Sequence, residues 1–517
     1  MKNNSEKTLL LDGRSLKIQN IQNYIKNPSV KLVLDRQTLK LVKKTRQFLD
    51  HELSKDKKII YGINTGFGPM ADYTLSKSQT VELQYNLIRS HAVGMGNPLP
   101  PEYVLAAMLV RLNTLARPAS AVSPELLETF LKFTDLRLAP RVPEHGAVGT
   151  SGDLVQLAHI ALALIGEGEI WHDSKFEPTK TIFKKFKLSP YRLKPKEGLS
   201  LINGTSMMSG IAALLVAKAN KLLQVAIENG AWSLEIVSAY KDGISESLHS
   251  LRPHPGQIKI ARKLRNLLEN SKLLRQRNGL KRNGGLGQIE QLPQAVQEIY
   301  SLRCIPQILG PILETIEETQ KVVEIEINSS TDNPLVDLTN KAILHGGNFH
   351  GDYIAAKIDQ MKASIIKLSM LSERRVNYFL NHNVNKTFPP FLNLKTFGLN
   401  LGLQGLQFVA TSTAAVNQSL GFPHHLHSIT TNGDNQDIVS MGTDAALLAA
   451  KVIENTEIIL TIERAVLAQA TDTKNLSPKL NRTIGKLYLS TREHLPKTLN
   501  DEANYQKLEN LRNWLIK

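Results

Sequence analysis

The glycine-rich segment His145-Gly-Ala-Val-Gly-Thr-Ser-Gly-Asp-Leu154 is the stretch whose residue types and spacing most favour chemistry. Gly146, Gly149 and Gly152 predict a tight loop, and Asp153 is placed to cap the helix that follows. A phosphate-binding loop is disfavoured, because no Lys-Ser/Thr pair follows the glycines. A nucleophile elbow is disfavoured as well, since the segment lacks one residue of the Gly-x-Ser-x-Gly pattern. By spacing alone, the simplest interpretation is a glycine-rich turn that leads into a helix.

The same segment, followed by His159, resembles the loop of the histidine, phenylalanine and tyrosine ammonia-lyases. Further segments match that family in the same order over most of the chain. A single motif of this kind is weak evidence, whereas seven in order are strong evidence. The other six are Tyr61-Gly-Ile-Asn-Thr-Gly-Phe-Gly68, Leu201-Ile-Asn-Gly-Thr-Ser206, Tyr300-Ser-Leu-Arg303, Thr331-Asp-Asn-Pro334, Gly346-Gly-Asn-Phe-His350 and Asn435-Gln-Asp437.

The resemblance implies a built-in electrophile, 4-methylidene-imidazol-5-one (MIO), which forms autocatalytically from Thr150-Ser151-Gly152. In that chemistry the Gly152 amide nitrogen attacks the Thr150 carbonyl, and only a residue without a Cβ lets the backbone fold so tightly. Ser151 then loses its hydroxyl as water and leaves a methylidene group. The family usually has Ala where this chain has Thr150. We expect the threonine to permit cyclisation but to change the surroundings of the ring.

An aromatic amino acid resists elimination because its β-hydrogen is barely acidic and ammonia leaves poorly. By the resemblance, Tyr61 is the base that removes the β-proton, which requires surroundings that favour the phenolate. Asn203 and Tyr300 are implied to hydrogen-bond the electrophile and the amine region. Taken one at a time, each of these residues has an ordinary structural interpretation, such as a turn residue or a strand-end aromatic.

Two further polar groups lie close to Tyr300 in the sequence. Arg303 is three residues after it, on the same helix face, and suits bidentate binding of the substrate carboxylate. Gln297 precedes Tyr300 by about one helical turn and would extend that face. Phe349 is implied to pack beside the electrophile.

The choice of substrate depends on conflicting markers. Ser90 and His91 occupy the segment that faces the substrate ring in this family, and the pair resembles histidine lyases. Gln436 stands where such lyases carry Glu and follows the tyrosine and phenylalanine pattern. Asn432 resembles tyrosine lyases, since plant phenylalanine lyases have Glu there. We give Gln436 and Asn432 more weight, so tyrosine is the favoured substrate and histidine the next. Phenylalanine, and an MIO-dependent aromatic 2,3-aminomutase that re-adds ammonia at the β-carbon, stay open.

Apolar residues recur at three- and four-residue spacing over most of the chain, which predicts a mainly α protein. The segments lengthen after about residue 200, as in His350–Leu380, and helices that long bury an apolar face in a bundle. We therefore expect a smaller, mixed N-terminal domain at residues 1–200, which carries the base loop and the MIO-forming triad. Residues 201–517 are expected to form a long-helix bundle domain, the core of an oligomer.

No Asp, Glu, Lys or Arg occurs from Thr396 to Gly433. Recurring Asn and Gln residues argue against a membrane span. The stretch predicts a helix buried on all sides, including by neighbouring subunits. The resemblance implies a homotetramer whose sites are each built from three subunits, with Tyr61 and the electrophile loop on different chains.

Composition sets the remaining limits. The 517 residues carry 63 Lys+Arg against 47 Asp+Glu, a formal charge of +16, and one cysteine. The basic residues are scattered without a recognition motif, so we expect no nucleic acid partner. The alternative to an enzyme is a non-enzymatic scaffold whose basic surface binds a polyanion. The lone Cys304 fits a reducing compartment, and we expect a cytoplasmic protein without a metal.

Overall fold

The computed structural model describes residues 8–55, 58–277, 289, 291–292 and 295–517. Helices dominate these residues, which confirms the predicted mainly α class. Up to residue 202, the elements are β1 Thr8–Leu11, α1 Ile18–Lys26, β2 Lys31–Leu34, α2 Arg36–Ser54, α3 Lys77–His91, β3 Met95–Pro98, α4 Pro101–Ala116, α5 Pro124–Asp135, β4 Ala139–Pro140, β5 Pro143–His145, α6 Leu154–Leu164, β6 Glu169–His172, β7 Lys175–Pro178, α7 Thr179–Phe186 and α8 Glu197–Ile202.

The later elements include the longest helices of the chain. They are α9 Ser206–Ile236, α10 Glu246–Ser250, α11 Pro255–Leu267, α12 Tyr300–Arg303, α13 Ile305–Glu326, β8 Leu335–Asp337, β9 Ala342–Leu344, α14 Asp352–Leu380, α15 His382–Asn385, α16 Gln404–Ser419, α17 Gly442–Thr473, α18 Arg482–His494 and α19 Tyr505–Ile516.

Helix ends follow local capping chemistry. The Asp35 carboxylate accepts a hydrogen bond from the Thr38 amide at 2.8 Å and starts α2. Ser123 caps α5 in the same way, and Pro124 occupies its first turn. Helix α17 begins at Gly442, shortly after a tight turn in which Thr431 and Gln436 pair.

The strands form four small sheets: parallel β1–β2, antiparallel β3–β5, antiparallel β4–β6–β7 and antiparallel β8–β9. All described strands belong to one of two compact units. This first unit comprises the residues up to Ala217 together with Glu318–Gln360 and Pro423–Ala449. Two of its three segments thus lie far beyond residue 200, and the domain boundary near residue 200 stays a prediction.

The second unit comprises Lys218–Glu317, Met361–Phe422 and Ala450–Lys517. Helices α9, α13, α14 and α17 each contribute residues to both units, so a single cut in the sequence does not separate them. Helix α9 is long and apolar enough to cross a membrane by length and composition, and 72% of its most apolar window is buried within the chain. Burial of this kind is typical of a core helix.

The charge-free stretch has a different burial from the one expected. In α16 only Ala410, Ala414 and Asn417 are buried. Phe408 is 64% exposed and Val416 is 48% exposed. An apolar part of α16 is therefore left uncovered by the described residues of one chain, and its burial by neighbouring subunits stays a prediction.

Candidate active site

The predicted electrophile loop depends on close backbone contact between two glycines. Gly152 has φ +73° and forms a bridge with Gly204, whose carbonyl accepts a hydrogen bond from the Asp153 amide at 2.8 Å. A Cβ built on Gly152 would lie 2.1 Å from the Gly204 oxygen. Only glycine fits this position, both for its conformation and for the space beside it.

Ser151 is held by two side-chain amides. Asn203 donates a hydrogen bond from Nδ2 to the Ser151 carbonyl at 2.8 Å. Gln436 donates from Nε2 to the Ser151 hydroxyl oxygen at 2.9 Å. The Thr150 hydroxyl donates to Oε1 of the same glutamine at 2.6 Å. The Ser151 carbonyl oxygen, which a ring would keep, and Oγ, which it would lose, thus each have a hydrogen-bond donor.

Arg111 binds the backbone that leads into the Asn203 turn, a role that the sequence did not predict. Its guanidinium is wholly buried and donates to the carbonyls of Ser200 and Asn203, the latter at 2.6 Å, and to the Thr331 hydroxyl at 3.3 Å. Burial lowers the pKa of Arg111 to about 10, and Asp332 opposes that shift. A lone arginine in an otherwise mostly apolar helix, where Ala106–Ala116 are all buried, was the available signal.

Lys196 and Asp332 form a buried ion pair in the same unit. Their Nζ and Oδ2 atoms are 2.7 Å apart, and both side chains are 1% exposed. The Ser120 hydroxyl also donates to Asp332 at 2.7 Å. Burial raises the pKa of Asp332, but Lys196 and Arg111 outweigh it and leave a net lowering. This network fixes the Thr331-Asp-Asn-Pro334 motif beneath the Asn203 turn.

Asp153 joins the electrophile loop to two helices. Its carboxylate accepts hydrogen bonds from the Met208 amide in the first turn of α9 at 2.9 Å and from the Thr443 hydroxyl at the start of α17 at 2.6 Å. Complete burial raises the pKa of Asp153 to about 6, against these hydrogen bonds. The carboxylate was expected to cap α6, and it instead serves the N-terminus of α9.

The opposite edge of the loop contacts the segment that carries Phe349. The Gly149 carbonyl accepts hydrogen bonds from the Gly351 amide and from the Ser440 hydroxyl, each at 3.0 Å. Phe349 lies two residues before Gly351 and is half-buried. The structure thus places the Gly346–His350 motif next to the Ser151 loop in the chain's own first unit.

The Tyr61 loop is a compact turn. Gly62 has φ +67°, and the Asn64 side chain ties the turn to the backbone of Ile60 and Lys58. The Gly68 amide donates to the Tyr61 hydroxyl oxygen at 3.4 Å. The Tyr61 ring packs edge-on against Phe67. The phenol oxygen therefore has a backbone N–H donor from the same turn.

Asn432 and Gln436 connect this loop to the electrophile loop. A Cβ built on Gly68 would lie 2.6 Å from Oδ1 of Asn432, so the asparagine packs directly on the Tyr61 turn. Four residues later Gln436 contacts Thr150 and Ser151. One turn of one chain therefore contacts both loops. The expectation that Tyr61 and the electrophile of one site come from different chains stays a prediction.

Ser90 and His91 end helix α3. The His91 Nδ1 lies 2.9 Å from the Leu87 carbonyl, and the Ser90 hydroxyl lies 3.1 Å from the same nitrogen. Because a carbonyl oxygen only accepts, this contact fits the tautomer with its hydrogen on Nδ1, which leaves Nε2 as an acceptor.

Gln297, Tyr300 and Arg303 belong to the second unit and lie together. The Arg303 guanidinium donates to Oε1 of Gln297 and lies 4.9 Å from the centroid of the Tyr300 ring. Tyr300 is 66% exposed, and Gln297 is exposed as well. The three side chains form one accessible polar cluster.

The histidine-rich segment after Pro423 is structural. His425 contacts Asp359 through its ring nitrogen and its backbone amide, each at 2.8 Å. Within the described residues, no group of three or more His, Cys, Asp or Glu side chains is placed to hold a metal ion.

A model of the family described as aromatic amino acid lyase matches residues 16–493. The chain belongs to the aromatic amino acid lyase family. It is 39% identical to a tyrosine 2,3-aminomutase of Myxococcus fulvus over 420 residues, 80% of each chain. It is 36% identical to a histidine ammonia-lyase of Treponema denticola over 503 residues, 97% of this chain and 95% of that one.

Solved structures of this family share the whole fold. The tyrosine aminomutase of Streptomyces globisporus superposes with a TM-score of 0.94 at 33% identity, covering 98% of this chain and 97% of that one. The histidine ammonia-lyase of Trypanosoma cruzi gives 0.88 at 31% identity, covering 98% and 93%. The chain is therefore an enzyme of the ammonia-lyase class.

Replacement of Gly152 tests the glycine contact. We expect Gly152→Ala to lower the free energy of unfolding by about 1–3 kcal/mol more than Gly398→Ala does, as measured by urea denaturation. Gly398 also has a positive φ, +86°, but a Cβ there meets nothing within 4 Å. The Gly398→Ala variant therefore has the strain of a positive φ without the steric clash. Equal losses of stability in the two variants would contradict the close contact of Gly152 with Gly204.

The buried Asp153 predicts a pH dependence. A carboxyl whose pKa is raised on folding stabilises the folded state below its ordinary pKa, and that contribution is lost as the pH rises through about 6. Asp153→Asn has no such titration. Its stability relative to the wild type should therefore increase by about 1 kcal/mol between pH 5 and pH 8. Melting curves at both pH values measure this, and a constant difference would be inconsistent with the raised pKa.

Proposed function

We propose that the protein eliminates ammonia from an aromatic L-amino acid, with tyrosine favoured, to give the trans-acrylate, using MIO formed from Thr150, Ser151 and Gly152. The observation that carries the proposal is the Ser151 loop. Gly152 lies where no Cβ fits, Asn203 binds the Ser151 carbonyl, and Gln436 binds the Ser151 hydroxyl. This donor set and this glycine contact fit a ring closed between residues 150 and 152.

The MIO group supplies an electrophile that takes up the substrate amine and makes it a better leaving group. The chain's own residues supply the rest. Tyr61 removes the β-proton as the general base, and its hydroxyl oxygen accepts a hydrogen bond from the Gly68 amide. Asn203 donates a hydrogen bond to the Ser151 carbonyl and so fixes the position of the loop.

Arg303 binds the substrate carboxylate with its guanidinium fork, and Tyr300 and Gln297 complete that end of the site. Gln297 orients the guanidinium, and the ring of Tyr300 covers one of its faces. Phe349 packs beside the electrophile. The exposure of Tyr300 and Gln297 leaves this cluster available to a neighbouring copy.

Assembly into a homotetramer is part of the proposal. It would cover the apolar side chains of α16, such as Phe408 and Val416, and the neighbouring Phe397 and Leu399, which are 65% and 75% exposed. A contiguous apolar surface of this kind is typical of subunit contacts. Three copies would then contribute to each site.

His91 supports a substrate that carries a hydrogen-bond donor on its ring. Its Nε2 is an acceptor, because Nδ1 donates to Leu87. A phenol hydroxyl or an imidazole N–H can donate to it, whereas the ring of phenylalanine cannot. Gln436 contributes an uncharged amide where a glutamate would add a negative charge, which favours the neutral phenol.

The second candidate is a tyrosine 2,3-aminomutase, which would return ammonia to the β-carbon. The relatives in Myxococcus fulvus and Streptomyces globisporus favour it. A histidine ammonia-lyase of histidine catabolism is the third, favoured by the Ser90-His91 pair and by the Treponema denticola relative.

Product analysis on tyrosine, histidine and phenylalanine separates these candidates. The proposal predicts a 4-hydroxycinnamate product from tyrosine as the fastest reaction. Mainly β-tyrosine would establish the aminomutase, and fastest formation of urocanate would establish the histidine lyase. No product from any of the three would refute the proposed activity.

The base is tested with Tyr61→Phe. We expect kcat to fall by at least about 100-fold, because a general base in the transition state contributes that much. Tyr24→Phe is the matched control, since the Tyr24 hydroxyl also makes one hydrogen bond, to the Thr134 carbonyl, in a buried site. If both variants kept wild-type kcat, Tyr61 would not be the base.

A further inference from the structure

We propose that Thr150 is a positioning residue for MIO formation, acting through Gln436. Its hydroxyl holds the Gln436 side-chain amide so that Nε2 donates a hydrogen bond to the Ser151 hydroxyl oxygen, the oxygen that leaves as water. This inference rests on the proposed function, because that oxygen leaves only if the ring forms.

The contacts define a relay of three side chains. Thr150 donates to Oε1 of Gln436 at 2.6 Å, and Nε2 of Gln436 donates to Oγ of Ser151 at 2.9 Å. Thr431 supplies a second hydroxyl to Oε1 at 3.1 Å. Two hydroxyls donate to Oε1, so this end of the Gln436 amide is its oxygen. The –NH2 end therefore faces Ser151.

The backbone of the relay is fixed as well. Thr431 and Gln436 exchange two backbone hydrogen bonds, at 3.1 Å and 3.3 Å, so the glutamine side chain starts from a closed turn. Thr150 is 4% exposed. Water therefore has little access to replace its hydroxyl as the partner of Oε1.

The chemistry loses two waters. The Gly152 nitrogen bonds to the Thr150 carbonyl carbon, and that carbonyl oxygen leaves as one water with the hydrogens of the Gly152 and Ser151 amides. Oγ of Ser151 leaves as the second water, with its own hydrogen and the Cα hydrogen, and Cα and Cβ become doubly bonded. An oxygen that leaves gains negative charge as its bond to carbon breaks, so a fixed N–H donor stabilises the transition state.

An alanine at position 150, the usual residue in the family, would leave Oε1 of Gln436 with one hydroxyl donor instead of two. In this chain the orientation of Gln436 therefore depends partly on a side chain within the ring-forming triad. Thr150 keeps its side chain outside the reacting bonds and is free to serve in this role.

The test follows ring formation by intact mass during cell-free synthesis. We expect the wild type to lose two waters and Thr150→Val to do so about tenfold more slowly, since one hydrogen bond to the leaving oxygen is misdirected. Thr150→Ser keeps the hydroxyl and should restore the wild-type rate. In a Gln436→Met background, Thr150→Val should have no further effect, because the two residues act as one unit.

Thr134→Val is the matched control. Thr134 is fully buried, and its hydroxyl bonds only the Phe130 carbonyl of its own helix, so the control reports the general cost of a lost threonine hydroxyl. Circular dichroism of each variant reports folding. Wild-type ring formation in Thr150→Val, slowing equal to that of Thr134→Val, or additive effects with Gln436→Met would each overturn the proposal. An unshifted wild-type mass would overturn the proposed function together with it, whereas a shifted wild type with an equally fast Thr150→Val would overturn this inference alone.

Discussion

The candidate site depends on the approach of the Gly152 backbone to the Gly204 backbone. This contact brings the end of one loop against the start of α9, and it places the Asn203 amide on the Ser151 carbonyl. Neither glycine of the contact tolerates a Cβ, since a Cβ on Gly204 would also lie 2.4 Å from the Arg111 guanidinium. The two glycines are thus a steric requirement, and the polar groups around them take their positions from it.

Buried charge fixes the surroundings of that contact. Arg111 binds the carbonyls that lead into the Asn203 turn, and Lys196 pairs with Asp332 beside it. An isolated buried charge is costly. Removal of one partner of a buried ion pair therefore strongly destabilises the fold, because it leaves the other charge buried without a partner. Asp153 adds a carboxylate at the N-terminus of α9, where the helix dipole favours negative charge. The site is rigid because its supports cannot move independently.

The sequence was informative where periodicity or a motif was strong. Helix α5, Pro124–Asp135, starts at a serine cap followed by a proline, a signal that is legible in the sequence. The loops that carry Tyr61, Ser151 and Asn203 were located by their glycines. The contact of Gln436 with Ser151 could not be predicted, because 285 residues separate them and only the folded chain brings them together. The partner that covers α16 could not be predicted for a related reason: lack of charge indicates an apolar environment but does not indicate which chain provides it. The site-residue roles and the domain boundary near residue 200 stay predictions.

The central claim, that Thr150, Ser151 and Gly152 become an electrophile, is tested most directly by the mass of the peptide that contains them. The account predicts that this peptide from the purified protein weighs two waters less than its sequence requires. The corresponding peptide from Ser151→Ala should not lose both waters, because no hydroxyl is available to give the methylidene. A wild-type peptide of full sequence mass, from protein that converts an aromatic amino acid, would contradict the account.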